Sequence, residues 1–455
     1  MGTVITDNFK LEMVNSLVSH FNNADNNFYI GVGRSEAWND SNDAAPVPVN
    51  TEKEIRNFRN GLQSLKKVFA VSGVVPRVNW TSGTVYSQYD DQQVGRPTPP
   101  NYVMNTNHHV YMCLRTGKNK KGENVVSTVM PTNSNNDPFE TADGYVWKFL
   151  YTISALEADQ FLTASFMPTR YITSVDSNSS GVELKQHEVQ TTARAGRVTS
   201  FVMESGGIGY DSNDPPSVLL IKGNGDSSQV VSVFIESGRI TKLEMDNDST
   251  TLAYGDGYEE GVEVVITGGV GSGAVARAVI SPAQGIGHNA MADLKTDAFA
   301  MHVKIEGDDD DFIVGNDFRQ IGIIANPKKN QAVDSNFTDQ TGTLLRAMKV
   351  NNVSNVFTTD KRIKAVTGTQ AEAFVDRYND SDKILYYHQT PATGFINFDS
   401  NDIIDEVDGN GLGNFENHII PEVKPFTGDV LYINNRASII RSATQTEDVK
   451  IILQL

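Results

Sequence analysis

The chain is poor in cysteine, in basic residues and in long apolar runs, and each shortage excludes something. A single cysteine, Cys113, among 455 residues leaves no internal disulfide framework and no Cys-based metal cluster. Such usage suits a reducing compartment. Its setting, "HVYMCLR", places Cys113 among apolar neighbours and predicts a buried structural thiol. No apolar run approaches the ~18 residues that a membrane span needs. The start, "MGTVITDNFK", lacks the apolar core of a signal peptide. Met-Gly with Thr6 fits the myristoylation pattern only loosely. Lys and Arg number 38 against 56 Asp and Glu, a formal net charge of −18. Nucleic-acid binding works by neutralising phosphates, so this balance argues against it. The most basic stretch, "TGKNKKGEN" around Lys118 and Lys121, is spaced by Gly and Asn and reads as a solvated loop. Tryptophan is absent beyond Trp147. Trp38, Trp80 and Trp147 all lie in the first third, which leaves the rest without an indole platform for sugars. Trp38 and Trp147 sit in strand contexts and are expected in the core.

What is present is strand periodicity and glycine. "VEVVITGGVGSGAVARAVI", residues 262–280, carries G-x-G-x-x-A at Gly269, Gly271 and Ala274. A dinucleotide fingerprint requires those glycines to open a helix, with an acidic residue about 20 positions on. Here Val275 to Ile280 alternate as a strand does. The first acidic residue is Asp293, beyond Pro282, Gly285 and Gly287. The glycines are therefore expected to turn a hairpin, and no cofactor is expected.

That stretch has a second copy. "SVLLIKGNGDSSQVVSVFI", residues 217–235, overlays it without a gap, setting Ile221 on Ile266, Gly223 on Gly268, Ser227 on Ser272, Val230 on Val275 and Ile235 on Ile280. "GRVTSF" from Gly196 pairs with "GRITKL" from Gly238, and "GIGY" ending at Tyr210 pairs with "GDGY" ending at Tyr258. The period of about 42 to 48 residues predicts stacked supersecondary units over 191–285.

Thr6 and Asp7 cap a first helix with a stripe of Phe9, Leu11, Val14, Leu17, Val18 and Phe21. Thr51 and Glu54 form a capping box for a second, lined by Ile55, Phe58, Leu62 and Leu65. Ser154 and Glu157 open a short third. Strand signals fill "NFYIGVGRSEAW", "HHVYMCLR", "GYVWKFLYTI", "RYITSV", "AFAMHVKIEG" and "FRQIGIIANP". Residues 338–420 carry helical patches in "GTLLRAMKV" and "TQAEAFVDRY", then an Asn/Asp/Gly-rich stretch from Asn397 to Asn417. The C-terminal "EDVKIILQL" alternates as a strand with one mainly buried face.

Sites for chemistry were sought. No G-x-S-x-G elbow occurs. His108 and His109, adjacent on a strand, would point to opposite faces and share no metal. The run Asp308 to Asp311 alternates in direction and reads as a solvated loop rather than a wrapped calcium site. "DGNGLGNFE" from Asp408 puts Leu412 at a ligand position, and Ile419 stands where an EF-hand needs its bidentate Glu. No catalytic, cofactor-binding or metal residue is assigned, and interface residues stay unassigned.

Five blocks occur in an order that resembles one family: "FYIGVGRSEAW" (28–38), "VVPRVNW" (74–80), "DGYVWKFLYTI" (143–153), "FRQIGIIANP" (318–327) and "GDVLYINNRASIIRSATQTEDVKIILQL" (428–455). They resemble the baseplate wedge subunit of T-even-type contractile-tailed bacteriophages, the gene product eight family, whose opening helix "TDNFKLEMVNSL" is also similar to this one. The resemblance covers the first 170 or so residues, about 295 to 330, and the last 30. It implies a mainly β fold with a β-sandwich core and helix-bearing loops, a homodimer, and contacts with wedge gene products six, seven and ten. It implies a structural, non-enzymatic protein of the virion tail baseplate, assembled in the host cytoplasm. The regions without a counterpart read as insertions, which surface loops tolerate. The expected organisation is 1–190 N-terminal core, 191–285 inserted β-repeat module, 286–337 core continuation, 338–420 a second, α+β insertion, and 421–455 C-terminal core strands. Two rival readings are a receptor- or glycan-binding tail protein and a nucleotide-dependent enzyme resting on Gly269 and Gly271.

Overall fold

The computed structural model describes residues 4–38, 42–221, 231–245, 247–248, 251–252, 257–258, 260–307, 311–315, 317–330, 335–442 and 444–455. The chain is mainly β, as expected, and helices are few and short. The helix starts follow their caps. Thr51 Oγ1 accepts from Glu54 N, and Ser154 and Glu157 form a complete capping box. Two details differ. Phe9 is exposed on helix Asp7–Asn22, whose buried side chains are Leu11 and Val14. The second helix ends at Gly61, so Leu62 and Leu65 lie on the following strand, Leu62–Lys67, rather than on the helix. Gly61 approaches the neighbouring backbone closely: a Cβ on Gly33 would stand 2.2 Å from its carbonyl oxygen. A further helix, Gly181–Thr191, was not expected, although Ser180 and Glu183 form its capping box.

The chain divides into two compact units. One holds Met1–Ser16, Ser72–Ala300 and Ile452–Leu455. At its centre is an antiparallel sheet in the order Tyr102–Met104, His109–Arg115, Val146–Thr152, Phe139–Glu140. Side-chain alternation gives the sheet two apolar faces. Tyr102, Met104, Val110, Met112 and Leu114 pack with Val75 and Met167 from a second strand pair, in which Gly73 to Pro76 face Thr169 to Phe166. The opposite face sets Tyr111, Cys113, Trp147 and Phe149 against Tyr86 and Val189. Cys113 is fully buried there, and burial pushes its thiol far above the ordinary range.

The same unit contains the repeat, and its two copies are interlocked rather than stacked. Each contributes three strands: Val198–Ile208, Ser217–Ile221 and Val231–Glu236 from the first; Arg239–Met245, Glu263–Thr267 and Ser272–Ile280 from the second. Every ladder joins one copy to the other. The first strand of copy one pairs with the third of copy two, at Ser200↔Val279, Phe201↔Ala278, Val202↔Arg277 and Met203↔Ala276. The first strand of copy two pairs with the third of copy one at the equivalent positions, Lys242↔Phe234, Leu243↔Val233, Glu244↔Ser232 and Met245↔Val231. Both ladders shift register at the same place, one step before Ile280 and Ile235. The two middle strands pair with each other about a local two-fold, so that Val218↔Ile266 and Ile221↔Glu263 are images. Even the turns reciprocate. Tyr210 N donates to Gly238 O, and Tyr258 N donates to Gly196 O. One core closes the module, with Phe201, Tyr210, Leu220, Val231, Leu243, Tyr258 and Ala278 among its members. The overlay at Gly223, Ser227 and Val230 lies outside the described residues.

The second unit holds Leu17–Val71 and Met301–Ile451. Its antiparallel sheet runs Thr341–Thr343, Leu62–Lys67, Phe28–Gly33, Asp317–Ala325, Asp429–Ile440. Gly31 faces Gly322 across one ladder. A Cβ on Gly322 would stand 2.3 Å from the Phe58 ring, and one on Gly31 would stand 2.7 Å from the Leu62 side chain. The glycine pair is thus the seat on which helix Glu52–Gly61 rests. Residues 346–419 form a closed six-stranded barrel: Arg346–Asn355, Ile384–His388, Glu372–Asn379, Arg362–Ala365, Ile403–Glu406, Leu412–Ile419. This corrects the α+β expectation for 338–420. Both apparent helical patches are barrel strands, in which Met348 and Val350, then Ala371, Ala373 and Val375, alternate into the barrel core. Closure of the barrel outweighs the helix propensity of Ala, Met and Glu.

Candidate functional site

Gly269 and Gly271 lie in the four-residue link between Glu263–Thr267 and Ser272–Ile280. Gly268 and Gly269 have φ of 78° and 69°, a region that glycine enters without strain. A Cβ on Gly271 would fall 2.4 Å from the Tyr210 ring. The link is a sharp turn, but it closes no hairpin, because the strands on either side pair with the other copy. The segment after it is a strand, so no helix N-terminus faces a pyrophosphate there.

The remaining candidates scatter. His108, at φ 59°, sits in a turn rather than on the strand. His109 Nδ1 lies 3.2 Å from the Tyr111 hydroxyl, its ring packs edge-on against Phe149, and burial lowers its pKa. Asp308 to Asp310 lie outside the described residues, and the carbonyl of Asp311 accepts a hydrogen bond from Ser64 Oγ. The Asp408 loop joins two barrel strands, and Glu406 Oε2 holds it by accepting from Gly411 N at 3.1 Å. Among the described residues, no three His, Cys, Asp or Glu side chains are arranged to hold a metal ion. Trp147 is fully buried and Trp38 nearly so, as their strand contexts suggest, while Trp80 is half-buried. Lys120 and Lys121 are exposed, and the Lys120 carbonyl accepts from Thr241 Oγ1 at 2.9 Å.

Two clusters carry perturbed protonation, and neither was legible in the sequence. In the second unit, His388 is buried between two carboxylates, with Nδ1 2.8 Å from Asp376 and Nε2 3.0 Å from Glu36. Burial opposes a charged imidazole, but Asp376 and Glu36 outweigh it and push the pKa up to about 10. Asp376 also accepts from Gln63 Nε2 at 3.1 Å and Ser35 Oγ at 3.3 Å. Beside it, Arg319 pairs with Asp43 and Asp317, each at 2.9 Å. The arrangement clamps strands together. A histidine held protonated by two carboxylates is a poor general base at neutral pH, and the Ser35 hydroxyl points at Asp376 rather than at the imidazole. In the first unit, burial pushes the Asp293 carboxyl up to about 7, against the Gly287 N–H and Lys148, and burial draws the Lys148 ammonium down to about 8.

What the chain presents outward is a set of strand edges and half-exposed aromatic side chains. No family model matches this chain, and no curated protein matches it.

Proposed function

We propose that this chain is a structural, non-enzymatic subunit of the baseplate wedge of a contractile phage tail. In this reading it forms a homodimer and holds neighbouring wedge proteins, of the gene product six, seven and ten types, through assembly and contraction. The observation that carries it is a convergence in space. Three of the five resembling blocks, far apart in the chain, supply Phe28–Gly33, Asp317–Ala325 and Asp429–Ile440, which are consecutive strands of one sheet. Stretches that resemble a family independently have no reason to meet, whereas the parts of a shared core must. The interlocked module and the barrel are the stretches outside the resemblance, and each has its own apolar core.

A protein in this role works by holding permanent interfaces and turning as rigid bodies about them. The buried clamp at His388 fits such a load-bearing part. Cryo-electron microscopy of the intact tail tests the assignment: density for this chain in the tail tip is expected, and tails that lack it would refute the reading. Sedimentation of the purified chain tests the dimer separately.

A further inference from the structure

We infer that the groove beneath Phe395 and Phe426, in the second unit, docks an acidic protein segment that carries a bulky apolar side chain. The floor is Leu62, Leu344 and Tyr387; Arg59 and Arg346 flank it, and the two phenylalanines form its rim. Those rings are 49% and 48% exposed, a cost to solubility that a large acidic protein has other means to avoid.

The rim is built. Phe426 sits at φ 64°, a left-handed conformation that a bulky residue adopts only under constraint. The constraint is Arg59, whose guanidinium donates to the carbonyls of Phe426, at 2.8 Å, and of Gly428. On the other side Gln389 fixes the Phe395 loop by donating from Nε2 to the Ile396 carbonyl at 2.7 Å. Aromatic side chains held in place over an apolar floor lose little entropy on binding, the usual property of an interface anchor.

Charge indicates the occupant. Arg59 is met by carbonyl oxygens, and Arg346 by the amide oxygens of Gln389, at 2.8 Å, and Asn397, at 3.4 Å. Among the described residues neither guanidinium has a carboxylate partner, in a chain with a net charge of −18. Two guanidiniums beside an apolar slot match a carboxylate next to a large apolar side chain. This inference uses only the groove and does not depend on the wedge reading.

The test uses the full chain and three fluorescein-labelled hexapeptides: Asp-Glu-Trp-Leu-Asp-Glu, the same with every carboxylate replaced by lysine, and the same with Trp-Leu replaced by Ser-Ser. Saturable binding of the first alone is expected in fluorescence anisotropy, weakening as salt rises. Phe426→Gly and Arg346→Gln should each weaken it about tenfold. Phe426→Gly should also leave the melting temperature unchanged or raised, since glycine accepts φ 64°; a ring with a merely structural role would lower it. Equal binding of the lysine peptide, no saturation at millimolar peptide, or undiminished binding by Phe426→Gly would overturn the inference. So would sedimentation showing that the groove is filled by a second copy, with self-association lost in Phe426→Gly.

Discussion

Excising Val198–Ile280 and bridging Arg197 to Ser281 with two glycines should leave the rest of the chain folded. The stem is already closed: Ser281 N donates to Arg197 O at 2.8 Å, and Arg197 N donates to Ser281 Oγ at 2.9 Å. Every member of the module's apolar core comes from inside the excised segment, so no other core is opened. What is lost across the boundary is polar: Arg277 with Asp90 and Asp91, Gln88 with Ser200, Thr241 with the Lys120 carbonyl, and Arg115 with Glu244 at 3.8 Å. Partly exposed contacts of this kind contribute about 0.5–1 kcal/mol each, so the excision should cost about 2–4 kcal/mol in all. That is far below the loss of a core. Scanning calorimetry of the shortened chain should show a cooperative transition, somewhat lowered, and residues 197–281 expressed alone should melt cooperatively too. An aggregated remainder beside a folded module, or a module that melts without a transition, would refute the reasoning.

Gly271→Ala should destabilise the chain by about 1–3 kcal/mol, because its Cβ would press into the Tyr210 ring. The control Gly181→Ala, with nothing near its Cβ, should be neutral or slightly stabilising in the same urea titration. His388→Leu should cost about 3–5 kcal/mol at neutral pH, because it strands Asp376 and Glu36 without their cation. The folded pKa of His388 is raised, so its stabilisation is complete below about 6.5, the unfolded value, and fades as pH climbs through about 10. Urea midpoints between those pH values should fall in the wild type and stay flatter in the variant. Asp293 is also raised, to about 7, so its contribution is present below about 4 and is lost as pH rises through 7. Asp293→Asn should remove that part of the slope, and an unchanged profile would show that the carboxyl is not buried as described.

Local chemistry made part of this fold legible. Thr51 with Glu54 and Ser154 with Glu157 announce their helices because a capping box spans only four residues. The repeat was visible because Gly196 and Gly238, and Tyr210 and Tyr258, occupy equivalent places. Which strand each copy pairs with was not visible, since a strand has the same alternation whether its partner lies in its own copy or the other. Leu62 and Leu65 continue a helical spacing from Ile55 and Phe58, and only the approach of Gly33 to Gly61 reveals the break. In Arg346–Asn355 and Glu372–Asn379 the runs are too short to separate the two periods, and barrel closure decides. The His388 clamp gathers residues 36, 63, 376 and 388, over 300 positions apart, and leaves no local trace. The groove is hidden for the same reason: Arg59 and Phe426 meet only in the folded chain.

The interlocking of the two copies has a consequence for their history. Each copy on its own holds three strands that have no mates within it. A polypeptide with one copy satisfies its backbone only by embracing another such polypeptide, so the smallest self-sufficient ancestor is a pair of separate molecules, later joined end to end. Since the joining, neither half has been able to drift alone, because a residue altered in one lies across a ladder from the other.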